Sequence, residues 1–265
     1  MSRVTLSNAD KVLFPETGFT RFPDGVTGPG WFQMNCRGHP PWMRTAEIIG
    51  RRGQRLHYCL VDDRDALLWM INLGTIELHP FLACAGEPDV PRDVVFDLDP
   101  GPDTDALAAV RVALLVRDAL DARGHRSVVK TSGKKGLHVY APLDGGWHYA
   151  ESRAFARALA AELAAAHPEL ITDRIAKRER QGRVLIDWRQ NAIGLSTVAP
   201  YSLRALPWPL VSTPLAWSEV EATLADGRAG GLAFTPRAVL ERVARLGDLF
   251  NNTGAARLAS LPTMA

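Results

Sequence analysis

Asp97 and Asp99 carry the first chemical signal in this chain. They end the apolar stretch Val94-Val95-Phe96-Asp97-Leu98-Asp99, which a Pro100-Gly101 turn then stops. Such a stretch has strand propensity and a turn boundary. Successive side chains on a strand alternate between faces, so the two acids project the same way while Leu98 turns to the core. Carboxylates held side by side repel. A divalent cation relieves that repulsion, and an all-oxygen donor set suits Mg²⁺ or Mn²⁺. Acids here also fit a helix start, with Asp103 or Thr104 as the cap of the next helix. A third acid, Asp187, ends a second apolar run, Val184-Leu185-Ile186. Three carboxylates are what a two-metal site uses, its ions roughly 3.5–4 Å apart, to clamp the attacking and leaving oxygens of an in-line displacement. Alone, Asp187 also reads as an exposed acid ending an ordinary strand.

Between these acids lies Lys130-Thr131-Ser132-Gly133-Lys134-Lys135-Gly136-Leu137-His138-Val139-Tyr140. It reads as strand, glycine turn, strand. Glycines let backbone approach a phosphate, amides in such turns form anion nests, and lysines add charge. The G-x-x-x-x-G-K-[ST] spacing of a P-loop is absent. His138 alternates with core-facing Leu137 and Val139, which puts it on the face of the acids. A plain hairpin with solvated lysines also fits Gly-Lys-Lys-Gly.

The set VVFDLDPGP, KTSGKKGLHVYAPL, VLIDWRQN, TVAPYSLRA and STPLAW resembles the polymerase domain of bacterial DNA ligase D and its stand-alone relatives, within the archaeo-eukaryotic primase superfamily. LSNADKVLFPETG and RFPDGVTGPGWFQMN match as well, so the resemblance runs from about Leu6 to about Phe250. It implies that Asp97, Asp99 and Asp187 are catalytic and ligate two Mn²⁺ or Mg²⁺ ions. It also implies that Ser132, Lys135, Gly136, His138 and Arg204 hold the triphosphate of an incoming NTP or dNTP, with Gln190 and His79 lining that site. Asn8 and Lys11 then bind the 5′-phosphate of a broken DNA end, and Trp31 and Phe32 stack on template bases. Stacking on aromatic rings tolerates any sequence. Each residue has a plainer role. Trp31 and Phe32 fit a half-buried core, Asn8 a cap, Lys11 a surface lysine, His79 a loop histidine, and Arg204 a structural ion pair.

One departure from the family is visible. The family follows ETGFT with an aromatic-bearing helical segment, whereas here Thr20 runs straight into Arg21-Phe22-Pro23-Asp24-Gly25. A phosphate-gripping lysine of that segment has no counterpart, and Arg21 is the candidate substitute.

The resemblance thus implies a metal-dependent, template-directed nucleotidyltransferase. It adds nucleotides, preferentially ribonucleotides, to DNA 3′ ends in double-strand-break repair by non-homologous end joining. Its partners are DNA ends or gaps, a Ku-type end-binding protein and a DNA ligase, in the cytoplasm with the nucleoid. The chain reads as a stand-alone polymerase or an excised domain. Two alternatives stay open. One is a catalytically weak module that binds and bridges DNA ends. The other is a haloacid-dehalogenase-type phosphohydrolase, which shares D-x-D but expects Thr or Val where Gly101 stands.

Composition fits a globular enzyme. The 265 residues are 46% hydrophobic and 23% charged, ordinary for a domain with ample core. Net charge is only +2, so DNA affinity needs a local patch, and the run from Arg174 to Arg183 is the candidate. Cys36, Cys59 and Cys84 are far apart without a C-x-x-C. They read as small buried hydrophobes of a reducing compartment, neither a disulfide set nor a zinc site. No signal peptide or long apolar span appears in the sequence.

Periodicity supplies the elements that must position the site. Leu107, Val110, Val112, Leu114, Leu115 and Leu120 predict a helix over Thr104 to Arg123, closed by Gly124. Strands are expected at Ser127 to Lys130 and Leu137 to Ala141, and an alanine-rich helix from Ala150 to His167 before Pro168. With the Asp97 and Asp187 strands this is β-α-β-β-α-β, a ferredoxin-like or RNA-recognition-like sheet. The fold class expected is α/β (α+β), a primase-polymerase fold within one domain over 1–250. An N-terminal α/β module (about 1–90) packs on the catalytic module (about 91–200), and an accessory segment (about 201–250) follows. The first module includes a strand at Leu56 to Val61 and a helix near Asp65 to Leu73. The accessory segment includes a helix from about Pro236 to Leu246, and 251–265 is expected to be a disordered tail.

Overall fold

A computed structural model of the chain describes residues 17–49, 53–143 and 145–250. The tail 251–265 and the candidate residues Asn8 and Lys11 lie outside these described residues. An N-terminal sheet contains β1 (Thr17–Arg21), β2 (Trp31–Gln33), β3 (Thr45–Ile49), β4 (Arg55–Cys59) and, after helix α1 (Arg64–Asn72), β5 (Thr75–Pro80). Its path is β2-β1-β4-β3, with β5 also paired to β1. A small hairpin of β6 (Ala83–Cys84) and β7 (Glu87–Pro91) leads into the second sheet.

That second sheet positions the acids. Its elements are β8 (Asp93–Pro100), α2 (Ala106–Asp121), β9 (Val128–Thr131), β10 (Leu137–Pro142), α3 (Tyr149–Ala166), β11 (Ile171–Thr172) and β12 (Val184–Asp187). The segment beyond contributes β13 (Pro214–Leu215), α4 (Trp217–Asp226) and α5 (Pro236–Leu246). The strand order is β11-β12-β8-β10-β9-β13. Its inner four strands, all antiparallel, are the expected β-α-β-β-α-β sheet. The edge strands β11 and β13 have two residues each, too few to leave a periodic signature in sequence.

Alternation along the strands sorts the two faces. Val94, Phe96 and Leu98 of β8 pack with Val110, Val116 and Leu120 of α2 and with Leu159 and Leu163 of α3 in one core. Val95 of β8 belongs to a different cluster with Leu82, Val128, Tyr140 and Tyr149. The helices therefore cover one face, and Asp97, Asp99 and His138 fall on the other. Helix α2 begins one residue later than expected. Its cap is Asp105, whose carboxylate accepts from the Ala108 amide at 2.9 Å, whereas Asp103 takes a left-handed backbone with φ of 59°.

The cysteine expectation is overturned. Cys36 and Cys59 form a disulfide with Cα atoms 5.0 Å apart, a separation that suits the bond. The segment before Met43 runs alongside β4. The Cys36 amide donates to the His57 carbonyl at 2.6 Å, and the His57 amide donates to the Asn35 side chain at 2.9 Å. Nothing in a 23-residue spacing announces that long-range pairing. Cys84 is a free thiol.

The C-terminal segment ties the two sheets together. The Ala199 amide donates to the Leu78 carbonyl, the Leu78 amide donates to Ser202 Oγ, and Arg204 pairs with Glu77. No described helix is long and apolar enough to cross a membrane.

Candidate functional site: a row of acids, histidine and lysine across the sheet

Strand register brings the candidate residues into line. Asp187 of β12 pairs with Asp97 of β8, Asp97 with His138 of β10, and His138 with Lys130 of β9. Cross-strand partners share a face, so the four side chains form one row across four strands. Asp99 lies two residues along the same face of β8.

Each acid leans on a base. Asp97 Oδ1 is 3.3 Å from His138 Nε2, Asp187 Oδ1 accepts from Arg189 Nε at 2.8 Å, and Asp99 is 3.8 Å from Arg180. Burial, with repulsion from Asp99 and Asp187, pushes the Asp97 carboxyl well above the usual carboxylate range. Burial also raises Asp99, with Asp187 adding to it while Arg180 opposes. These are carboxylates crowded beyond what their arginine neighbours neutralise, the electrostatic setting that favours a bound cation. Among the described residues no three such side chains are closed into a ready coordination shell. The donor chemistry nonetheless fits Mg²⁺ or Mn²⁺: oxygen ligands, like charge and one shared face.

Burial also pushes His138 well below the ordinary histidine value, helped by the adjacent Lys130, and burial likewise lowers Lys130. Lys130 is completely buried, and sequence reasoning did not single it out. Its one signal was a lysine within an apolar strand, in step with His138 across a tight hairpin.

The hairpin turn serves structure first. Ser132 Oγ accepts from the amides of Lys134 and Gly136, each at 3.2 Å. The Gly136 amide is thus already engaged. A Cβ on Gly136 would lie 2.3 Å from the Leu98 carbonyl, so glycine is required by the close approach of β8 rather than by a phosphate. Lys134 and Lys135 are exposed. Arg204 donates to the Ser132 carbonyl at 2.6 Å and to Glu77 at 3.0 Å, and the Ala205 amide donates to the same Glu77 oxygen. Burial pushes Glu77 up, but its hydrogen bond from His79, Arg204 and that amide outweigh it and hold the carboxyl at about 2. Glu77, a hub that joins His79 to Arg204, was also missed by the sequence reading. Gln190 sits half-buried in the short 3₁₀ turn after Asp187.

The aromatic candidates stand on the other sheet. Trp31 and Phe32 are 46% and 48% exposed. Neighbours on a strand face opposite ways, so they do not form one platform. Arg21 covers Trp31, its guanidinium 5.2 Å from the ring centroid, while Phe32 meets His79 edge-on at 5.4 Å. A chain of contacts, Phe32 to His79 to Glu77 to Arg204 to Ser132, therefore links the aromatic strand to the hairpin. Arg21 also donates to the Leu73 carbonyl and to Gln33. It lines an open groove of about 900 Å³ with Trp42, Leu68 and Ile71, whose walls are more apolar than a phosphate site needs. The basic run borders the acids: the Arg180 and Arg183 carbonyls press on Gly101, where a Cβ would meet the Arg180 oxygen at 1.9 Å.

Residues 16–250 match the family model described as LigD, primase-polymerase domain. The chain belongs to that family. It is 34% identical over 289 residues to the multifunctional non-homologous end joining DNA repair protein LigD of Mycobacterium tuberculosis H37Rv, covering 96% of this chain and 37% of that protein. It is 31% identical over 232 residues to the bifunctional non-homologous end joining protein LigD of Bacillus subtilis, covering 87% of this chain and 36% of that protein. The chain thus spans about a third of the length of these LigD relatives. Among solved structures it resembles the polymerase domain from Mycobacterium tuberculosis ligase D in complex with DNA. The TM-score is 0.80 at 32% identity, over 94% of this chain and 97% of that one. The mycobacterial alignment is longer than the 265 residues of this chain, so the relative carries residues without a counterpart here, in keeping with the shortfall expected after Thr20. The β-α-β-β-α-β sheet and its row of acids are thus those of a LigD primase-polymerase domain.

Proposed function

We propose that this domain is a template-directed nucleotidyltransferase that extends DNA 3′ ends during non-homologous end joining, with a preference for ribonucleotides. One observation carries the reading: Asp187, Asp97 and His138 stand in register on three neighbouring strands of a LigD-type polymerase sheet. The reaction is attack of a primer 3′-hydroxyl on the α-phosphate of an incoming nucleotide, with pyrophosphate leaving. Asp97, Asp99 and Asp187 would hold Mg²⁺ or Mn²⁺, which when bound neutralises charge on the transferring phosphate.

The remaining work falls to the chain's own groups. His138, Ser132, Lys135 and Arg204 surround the hairpin next to the acids and offer donors to a triphosphate. Gln190 and His79 flank that region from β12 and β5. Exposed Trp31 and Phe32 offer rings on which template bases of any sequence can stack. Arg21 and the Arg174 to Arg183 run contribute positive charge for DNA phosphates, which makes binding salt-dependent. Asn8 and Lys11 complete the proposed 5′-phosphate contacts. A Ku-type protein and a ligase would present and seal the ends.

The test is extension of a recessed or gapped primer with NTPs or dNTPs and Mn²⁺, comparing wild type with Asp97→Ala. Template-matched additions, favoured with NTPs and absent in the variant, support the reading. A folded, DNA-binding wild type that adds nothing refutes it and leaves end-bridging as the function.

A further inference from the structure

Lys130 is the buried end of the acid–histidine row, and no carboxylate lies within ion-pair distance of its amine among the described residues. Its Nζ has three neighbours instead: Ser212 Oγ at 2.7 Å, His138 Nδ1 at 3.1 Å, and the Tyr140 ring with its centroid at 5.8 Å. Burying an amine without an acid partner is costly. An apolar side chain would fill the same space more stably, so the amine itself needs a reason.

Proton directions around it can be worked out. Ser212 has one hydroxyl hydrogen, which it donates to the Thr131 carbonyl at 2.8 Å. Its oxygen must therefore accept from Lys130. On the far side of the imidazole, Nε2 faces Asp97 Oδ1 at 3.3 Å. Two neutral-ring arrangements satisfy that contact. Either Nε2–H donates to the carboxylate and Nδ1 is bare, or a protonated Asp97 donates to a bare Nε2 and the hydrogen sits on Nδ1. The second sets an Nδ1–H against the amine of Lys130, two donors on one line. A doubly protonated ring makes the same clash and adds charge repulsion. Only the first gives Lys130 a lone pair to bind.

We propose that Lys130 is a positioning residue of the nucleotidyl-transfer site, whose Nζ–H fixes His138 as the neutral Nε2–H tautomer. The ring then always presents a donor, never a lone pair, to Asp97 and to a phosphate oxygen entering the row. Ser212 holds the amine in place by accepting from it. The phosphate part rests on the polymerase reading of the site; the tautomer does not.

The decisive measurement is long-range ¹H–¹⁵N correlation on histidine-labelled protein at neutral pH, with His138 assigned by its loss in His138→Gln. The wild type should show a protonated Nε2 and a bare Nδ1. Lys130→Met should move His138 to the other tautomer or a mixture and raise the nucleotide KM about tenfold or more, the scale of losing an orienting partner, with a smaller change in kcat. Ser212→Ala should keep the tautomer with a lesser rise in KM. A wild-type His138 protonated on Nδ1 overturns the proposal whether or not any variant folds. So does a folded Lys130→Met protein with unchanged tautomer and KM. A wild type that shows the Nε2–H tautomer yet extends no primer refutes the polymerase reading and leaves the Lys130 assignment standing.

Discussion

Asn191→Ala tests how the Asp97 strand is held. β12 ends at Asp187, opposite Asp97, so β8 has no backbone partner on that side at Val95. Asn191, with no exposed surface, supplies one. Its Oδ1 accepts from the Val95 amide at 2.8 Å, and its Nδ2 donates to the Val95 carbonyl at 2.7 Å and to the Trp188 carbonyl at 2.9 Å. In the alanine variant the Trp188 carbonyl keeps the Asn191 amide, at 3.3 Å. The two Val95 groups keep nothing. Each orphaned buried polar group costs about 1–3 kcal/mol, so the variant should lose about 2–6 kcal/mol out of a total of about 5–15 kcal/mol. Urea denaturation should show a lower midpoint at an unchanged slope. Primer extension should also fall, since Asp97 lies two residues along the loosened strand. A loss under about 1 kcal/mol with full activity would refute the reasoning, because it would mean that the Val95 peptide finds other partners.

Further outcomes follow from the same coordinates. Glu77, held at about 2 against an ordinary 4.5, contributes stability that is present above pH 4.5 and lost as pH falls toward 2. The size is about 3 kcal/mol, so wild type should exceed Glu77→Gln in stability at neutral pH and converge with it in acid. Equal pH slopes for the two proteins would count against the hub. Gly136→Ala drives a Cβ to 2.3 Å from the Leu98 carbonyl and should cost about 1–3 kcal/mol in thermal or urea melts. Trp31→Ala removes an exposed ring and should leave stability within about 0.5 kcal/mol while weakening single-stranded overhang binding by about 1–3 kcal/mol; unchanged binding in a filter or anisotropy assay would remove Trp31 from the interface. Cys36→Ser should lower stability by about 3 kcal/mol under oxidising conditions, and reductant added to the wild type should have the same effect. No response of the wild type to reductant would deny the Cys36–Cys59 bond a stabilising role.

Much of the architecture could be read from the chain itself, because its causes are local. The spacing of Val110, Val112 and Leu120 and the stop at Gly124 depend on neighbours a turn or two away, so helix α2 was legible to within a residue or two. D-x-D on an apolar run, His138 between core-facing Leu137 and Val139, and Asp187 at a second strand end are likewise short-range patterns, and the family resemblance followed from their order. The cap was the local miss, since Asp103, Thr104 and Asp105 are chemically equivalent candidates until the backbone chooses.

What only the tertiary structure decided depends on pairings between residues far apart in sequence. Register alone placed Lys130 at the end of the acid–histidine row, where burial turns a strand lysine into a partner of His138. Glu77 met Arg204 across 127 residues, Asn191 met Val95 across 96, and Cys36 met Cys59 because one segment happens to run beside β4. The glycine at 136 proved to answer a packing demand from Leu98, which no local pattern contains. Periodicity determines which way a side chain faces; only the strand packed against it determines what that side chain meets.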